Sequence, residues 1–482
     1  MGGASVLVVD KGGRGNAIAW CFARSPQVER VYVAPGNAGS SLMEKCEQVP
    51  IKSIGEMVRF VERRGVDLTF VGPEGYLSDG IVNRFHRAGL RRIVGPTREA
   101  TILESSKCDT KDFLHEIGVP IPEYRNFSDV EEARKYVREF YEEHRDDPRA
   151  NLVVKADGLA AGKGSIVCNS LEDALYALDL IMVKRFFGDA GRRVDIERRL
   201  YGRELMFFVL TDGRTVLPLE AAMDYKPAYD EWDIRIRRYW GGINPNTGGM
   251  GGYSPHPWLD EGLREKIMRR VVVPTVRKFR ELRGLEYRGV LYFGLMICEE
   301  DGEQNPYVLE INVRMGDPEA QVILPRLETD FYEVSEAILE GRLNEVRLRW
   351  DPTYRLGICA VSGRIVRSIG EDRGTDWFYG GGRGEEYDER MNIGYPGPHI
   401  TSQPITGLEE VDPRCIVFHN GTEFARDEKG NIDRRRILTS GGRVLTLVSR
   451  GETLQEAREL AYREIRKIRF RNMRYRWDIG KT

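Results

Sequence analysis

No run of apolar residues in this chain approaches the roughly 20 needed to cross a lipid bilayer. The opening segment, MGGASVLVVDKGG, lacks the basic stretch and long apolar core of a secretory leader. Charge of one sign is missing too: 73 basic and 75 acidic residues leave a formal net charge of -2. No global field therefore gathers nucleic acid, and no basic–aromatic module replaces it. Cysteine occurs at Cys21, Cys46, Cys108, Cys168, Cys298, Cys359 and Cys415 but never as a CxxC pair. That spacing speaks against zinc and disulfides, and the apolar or strand-like surroundings predict buried, reduced thiols. There is no internal repeat and no low-complexity tract. These absences leave a cytoplasmic globular protein, monomer or small homo-oligomer, with neither nucleic-acid nor membrane partners as the expectation.

What is present is enough for several domains. A chain of 482 residues, 41% hydrophobic and 31% charged, exceeds what one core usually organises. In the first hundred residues, Val6–Val9, Val31–Val33, Leu68–Val71 and Ile93–Val94 read as strands, each followed by a Gly or Pro turn. Helical spacing separates them at Asn16–Arg24, Ile54–Arg64 and Leu77–Ala88. This alternation predicts a Rossmann-like parallel sheet with helices on both faces, its turns clustered where such sheets bind ligands. A helix follows at Ser106–Glu116. Strands at Leu152–Ala156 and Ile166–Cys168 flank the loop DGLAAGKG, and Asp-Gly pairs at 212–213 and 301–302 predict hairpins. Tyr225–Pro255 has no sustained period and reads as a long loop. Leu356–Ser362 opens a last segment that ends in a helix near Leu454–Ile468.

Three motifs carry chemistry. In KADGLAAGKG, Lys155 lies on a strand before a glycine-rich turn whose backbone N–H groups could approach phosphates. The same stretch reads as a hairpin tip with solvated lysines, and Gly-Lys-Gly excludes a Walker A loop. In VLEINVR, Glu310 and Asn312 are two apart, so their oxygens share one strand face while Leu309 and Ile311 face a core. A carboxylate and an amide suit Mg²⁺, and an edge strand with a wet face has the same pattern. In ERRLYGRE, the chain around Arg198 and Leu200 offers backbone groups to an adenine and Glu204 an acceptor for ribose hydroxyls, or the segment is a charged face beside a turn.

Order joins these motifs. A glycine-loop hairpin, then Glu-x-x-Leu-x(3)-Glu, then Glu-x-Asn resembles the ATP-grasp fold, in which two α+β lobes clamp a nucleotide. VVKADGLAAGKG, PNTGGMGGYSP, LEINVRMGDPE and SSKCDTKDFL, with APGNAG, VGPE, VFHNGT and SGGRVL, resemble the phosphoribosylamine–glycine ligase family over nearly the whole chain. The resemblance implies an N-terminal α/β substrate domain (1–103), ATP-grasp lobes (104–345, with the glycine-loop lobe at about 120–195) and a small C-terminal domain (346–482). It implies ligation of glycine to 5-phosphoribosylamine with ATP and Mg²⁺ or Mn²⁺. Lys107, Lys155, Gly162, Lys163 and Gly164 would meet ATP phosphates, and Glu197, Leu200 and Glu204 would hold the nucleoside. Glu310 and Asn312 would bind metal. Asp224 and Lys226 would lie at the glycine site. Asn246, Thr247, Gly248, Gly249, Arg314 and Asp317 would line the second substrate, with Gly12, Gly13 and Arg14 near its phosphate.

The chain departs from the family in places. Its first loop reads DKGGRGNA where the family has a sequence close to GNGGREHA, so Asp10 falls beside the implied phosphate site. Asp-His-Lys-Arg becomes Asp224-Tyr225-Lys226-Pro227, and Arg198 and Arg199 stand where Glu-Phe is usual. Extra residues lie between Lys226 and Asn244 and around 375–392. Two other readings follow: an ATP-grasp ligase with a different amine or acid, and a nucleotide-binding regulator without turnover.

Overall fold

The computed structural model describes residues 2–160, 164–233, 236, 244–365, 392–397 and 399–481. Five strands, β1 (Ala4–Asp10), β2 (Val28–Pro35), β3 (Cys46–Gln48), β4 (Leu68–Val71) and β5 (Ile93–Val94), form a parallel sheet in the order β3-β2-β1-β4-β5. β1 and β4 are buried because their Val, Leu and Phe side chains are covered on both faces, as parallel sheets require. Helix α1 (Gly13–Arg24) begins three residues before the expected Asn16, so Gly13 and Arg14 form its first turn. Helix α2 (Ile54–Arg64) has the expected bounds, with Ser53 and Glu56 forming a capping box.

The single helix expected at Leu77–Ala88 is instead two, α3 (Glu74–Ser78) and α4 (Ile81–Arg87). Gly80 between them takes φ 79°, a left-handed conformation that breaks the helix and suits glycine. The C-terminal helix stops at Ile465 rather than Ile468.

Two four-stranded sheets follow. One has the order β6-β9-β7-β8, from Tyr124–Phe127, Val194–Arg198, Leu152–Ala156 and Ser165–Val167. The other, β11-β10-β14-β15, uses Val216–Pro218, Arg203–Thr211, Gly289–Glu300 and Glu303–Asn312. Both predicted hairpins form, β10–β11 around Asp212-Gly213 and β14–β15 around Asp301-Gly302. The core expectation at β15 needs correction. Gly294 pairs with Glu310 and Leu295 with Val308, so Leu309 is the extra residue of a β-bulge. Val308 and Ile311 enter the core; Leu309 is only half-buried.

The stretch read as one loop from Tyr225 to Pro255 contains strand β13 (Gly251–Ser254), which pairs with β12 (Met223–Asp224). Its glycines hid it. A Cβ on Gly251 would collide with the Gly357 carbonyl and one on Gly252 with that of Met223. β12 and β13 join β16 (Tyr354–Ile365), so this seven-stranded sheet crosses the line at 345/346 between the two downstream segments. Within the same sheet β16 pairs with β22 (Arg443–Gly451), which pairs with β19 (Ile416–His419). All seven cysteines are free, five of them buried and Cys46 and Cys415 half-buried. No helix among the described residues is long and apolar enough to cross a membrane.

Candidate active site

The loop motif is a true hairpin: β7 and β8 pair antiparallel, and the Gly164 carbonyl accepts from Ala156 N at 2.8 Å. Gly162 and Lys163 lie outside the described residues. Lys155, at the end of β7, turns into the protein rather than into solvent. Its Nζ donates to Glu197 Oε1 at 2.5 Å and to the Leu309 carbonyl at 2.9 Å. Glu197 Oε1 also lies 3.0 Å from Lys111 Nζ, which donates to the Val308 carbonyl at 2.9 Å. One buried carboxylate thus bridges two ammonium groups, and both reach across from the β7–β9 sheet and its flanking helix α6 (Lys107–Glu116) to the bulged strand β15. Burial opposes the Glu197 charge, but Lys111 and Lys155 outweigh it and hold its pKa near 2.

This changes the reading of Glu197. The residue is 1% exposed, its side chain is saturated by lysines, and its backbone lies in the interior strand β9 between Tyr124 of β6 and Val153 of β7. Asp157 accepts from Ser106 Oγ at 2.8 Å and Cys108 N at 3.1 Å at the start of α6. Lys107, the first residue of that helix, faces Glu310. Leu200 sits in the turn from β9 to β10, and Glu204, early in β10, faces Lys226 and Asp224.

Glu310 and Asn312 do share one side of β15, with Asn312 Nδ2 3.4 Å from Glu310 Oε1. Lys226 Nζ donates to the same Glu310 oxygen at 3.1 Å. The Lys226 ammonium lowers the pKa of Glu310 far below the usual carboxylate range against the opposing effect of burial, with Lys107 and Lys155 adding to it. Burial disfavours the Lys226 charge, yet Glu310, Glu204 and Asp224 together raise its pKa. Among the described residues no group of three or more His, Cys, Asp or Glu side chains is arranged to hold a metal. A permanently ionised carboxylate beside an amide nevertheless fits Mg²⁺, which takes few protein oxygens and completes its shell with phosphate and water.

Asp224 lies against this group, fully buried, with Oδ1 unpartnered. Burial first and Glu319 second raise its pKa well above the ordinary value, with Lys226 opposing. The PNTGGMG segment wraps the same place. Asn246 bridges to Pro227, Thr247 N and Oγ1 donate to the Lys226 carbonyl at 2.9 and 2.7 Å, and Gly249 N donates to Thr247 Oγ1. Gly249 has φ 112°, and a Cβ there would collide with Pro318 and come within 2.9 Å of Asp224 Oδ1. Arg443, from β22, donates to the Gly248 carbonyl at 2.9 Å and the Asp317 carbonyl at 2.6 Å.

The first loop resolves the Asp10 anomaly. Asp10 accepts from Lys11 N at 2.6 Å, from Gly12 N at 2.8 Å and from Arg14 Nε at 2.7 Å. Its charge is neutralised within its own turn, and glycine at 15 and 72 leaves room for its side chain. Arg14 reaches on to the Met315 carbonyl at 3.1 Å. Arg314 binds Glu74 at 3.1 Å, Glu104 at 2.8 Å and Asn312 Oδ1 at 3.1 Å, tying the first sheet to β15. Asp317 accepts from Gln321 at 2.6 Å and from Asn420 at 3.3 Å, and its pKa is lowered by Arg443 and Arg14 against burial. Its Oδ2 would lie 3.2 Å from a Cβ on Gly12.

Gly12, Gly13, Arg14, Asp224, Lys226, Asn246–Gly249, Arg314 and Asp317 thus surround one region together with Glu310 and Asn312. Sequence reasoning missed Lys111, Glu74, Glu104, Glu319 and Arg443. All but Glu104 lie inside motifs already singled out: SSKCDTKDFL, VGPE, RMGDPE and SGGRVL. For Glu104 only its contact with Arg314 marks it.

Comparison with known proteins identifies the family. Residues 4–104, 105–320 and 391–482 match, in order, the N, ATP-grasp (A) and C domains of the phosphoribosylglycinamide synthetase family. The phosphoribosylamine–glycine ligase of Archaeoglobus fulgidus is 46% identical over 504 aligned residues, covering 98% of each chain. The crystal structure of the phosphoribosylamine–glycine ligase of Thermotoga maritima superposes with a TM-score of 0.74 at 27% identity, covering 99% of this chain and 100% of that one. The biotin carboxylase domain of Hydrogenobacter thermophilus 2-oxoglutarate carboxylase, solved with MgADP, shares the fold at a TM-score of 0.63 and 14% identity, covering 98% and 91%. The chain belongs to the phosphoribosylglycinamide synthetase (phosphoribosylamine–glycine ligase) family.

Proposed function

We propose that this chain joins glycine to 5-phosphoribosylamine with ATP, giving glycinamide ribonucleotide, ADP and phosphate in cytoplasmic de novo purine synthesis. The observation that carries the reading is the convergence of Lys107, Lys155, Lys226 and Glu310 on the segment wrapped by Asn246–Gly249. Cations for a triphosphate, an ionised carboxylate for a divalent metal and a tight glycine-lined wall for a small substrate meet there.

The reaction needs no protein nucleophile. The glycine carboxylate attacks the γ-phosphorus, ADP leaves, and the sugar amine displaces phosphate from the glycyl phosphate. The chain's work is to position, neutralise charge and exclude water. Lys107 and Lys155, together with Gly162, Lys163 and Gly164, take the phosphates. The backbone around Arg198 and Leu200 takes the adenine, and Glu204 the ribose. Lys226 pairs with the glycine carboxylate, and Asp224 stands beside it. Glu310 and Asn312 would hold Mg²⁺ or Mn²⁺, which neutralises charge developing on the phosphates. Gly13, in the first turn of α1, receives the sugar phosphate on its helix N–H, with Gly12 and Arg14 on either side of it; the Gly12 amide is held by Asp10 and the Arg14 amide by Asp317. Arg314 and Asp317 complete the second-substrate wall. The three functional units we assign are 1–103, 104–345 and 346–482.

ADP release is expected to require glycine and 5-phosphoribosylamine together, with alanine a poor substitute. Coupled measurement of ADP over a panel of amines and small carboxylates tests this. Faster turnover of another pair would reassign the chain to a neighbouring ligase activity. Gly249→Ala is expected to lower kcat about a hundredfold, because its Cβ displaces Pro318 and Asp224 from the wall. An unaltered rate in a variant of normal Tm would remove this loop from the site.

A further inference from the structure

Asp195, on β9, is the most completely buried acid near the nucleotide cleft. It is 0% exposed, and neither carboxylate oxygen has a donor within reach. Its surroundings are defined on every side. Lys155 lies directly opposite on β7 and Asn126 directly opposite on β6. Glu197 shares its face two residues along, beside Tyr124 of β6. Helix α6 adds Lys111 and Cys108. Asn126 donates its amide to the Cys108 carbonyl and Asp112, and its own oxygen is buried without a partner.

Asp195 makes its close side-chain contact with another carboxylate, Glu197. Two carboxyl groups can share a hydrogen bond only when one carries a proton. Glu197 is claimed as an anion by Lys111 and Lys155. The orphaned amide oxygen of Asn126 is likewise a poor neighbour for an anion and a good one for an acid. We propose that Asp195 is a protonated carboxylic acid at neutral pH and that its proton keeps the Lys111–Lys155–Glu197 cluster net positive, so that Lys155 remains available to a nucleotide's phosphates. Two ammonium groups against one carboxylate leave one positive charge; ionising Asp195 would cancel it. Asp195 is therefore a positioning residue, acting through Glu197 and Lys155. Burial, then Glu197, raise its pKa well above the usual carboxylate value, with Lys111 and Lys155 opposing.

The second half of this proposal rests on Lys155 as a phosphate ligand; the first half does not. Because the folded state keeps a proton that the unfolded chain releases above about pH 4, the contribution of Asp195 to wild-type stability must fall as pH rises toward its folded pKa. That contribution lowers the folding equilibrium constant about tenfold per pH unit over that interval. Asp195→Asn keeps the shape and cannot ionise, so its Tm advantage over the wild type should widen between pH 5 and pH 8.5. Should that variant misfold, Asp195→Val, which also lacks the titration, serves the same comparison. A gap that stays constant or narrows overturns the protonated state. ADP titrated calorimetrically against the wild type should bind about tenfold more weakly once Asp195 ionises, while the Asn variant's affinity stays level over the same pH range. Coincident ADP profiles with a widening Tm gap would retain the proton and overturn its effect on Lys155. An unchanged ADP affinity in Lys155→Met would instead remove Lys155 as the ligand, leaving the stability comparison standing.

Discussion

Glu310→Ala is expected to abolish ligation at ordinary Mg²⁺, lowering turnover by at least about a thousandfold, or about 4 kcal/mol of barrier. The substitution removes the carboxylate that fits the metal and also the partner of Lys226 at 3.1 Å. Both effects fall on the reacting groups. Folding should change little, because the pair is partly open to solvent, at 30% and 29% exposed, and such pairs contribute about 0–1 kcal/mol. Lys226 also keeps Glu204 and Asp224 nearby. Turnover measured across a Mg²⁺ titration, alongside Tm, decides the matter. A variant that works normally at limiting Mg²⁺ would sink the assignment, and one that recovers only at high Mg²⁺ would support it most directly.

Lys155→Met is the second large effect. A charge-assisted phosphate contact contributes roughly 1.5–3 kcal/mol, so ATP affinity or turnover should fall by one to two orders of magnitude. The structure adds a cost in stability. Lys155 lies 5% exposed and shares Glu197 with Lys111, so methionine leaves a buried carboxylate with one ammonium instead of two. Breaking a buried pair completely costs about 3–5 kcal/mol; because Lys111 stays in place, the loss should be smaller than that. ATP titration with parallel thermal melts separates the two effects. A variant with lowered Tm but unchanged ATP binding would make Lys155 a structural tie between β9 and β15 and nothing more.

The first loop shows how far short-range reasoning reaches. Asp10 ends β1 and Arg14 lies in the first turn of α1, so their pair at 2.7 Å closes the short turn between strand and helix. What the residues alone left open was whether Asp10 would face the anion site; the turn amides of Lys11 and Gly12 settled that by claiming its Oδ1, and Arg14 its Oδ2. Four of the five strands of the first sheet (all but the short β3), both Asp-Gly hairpins and the glycine-loop hairpin were likewise legible. Each depends on neighbouring residues whose apolar alternation or turn chemistry is local.

Where the reading failed, the deciding interaction was distant or was masked by glycine. Helix 77–88 broke because Gly80 took a left-handed conformation that the apolar spacing does not reveal. Strand β13 was invisible because Gly251 and Gly252 carry no side-chain pattern, and their pairing with Ile358, Gly357 and Asp224 comes from elsewhere in the chain. Leu309 left the core because a bulge shifts the register of β15 against β14 by one residue, which reverses a side chain's face.

Residue order and short motifs by themselves determined the family, the three-part organisation expected of it and the candidate ligands for nucleotide and metal, because these are encoded in contiguous residues whose spacing selects one strand face or one turn. The partners of those ligands were decided only by tertiary structure. Glu197 became the bridge between Lys111 and Lys155, Arg443 the clamp on Asp317, and Asp195 an acid enclosed by three elements. Charges in a folded interior interact through space rather than along the chain. Burial then sets their protonation, and neither quantity exists until the strands that carry them are packed.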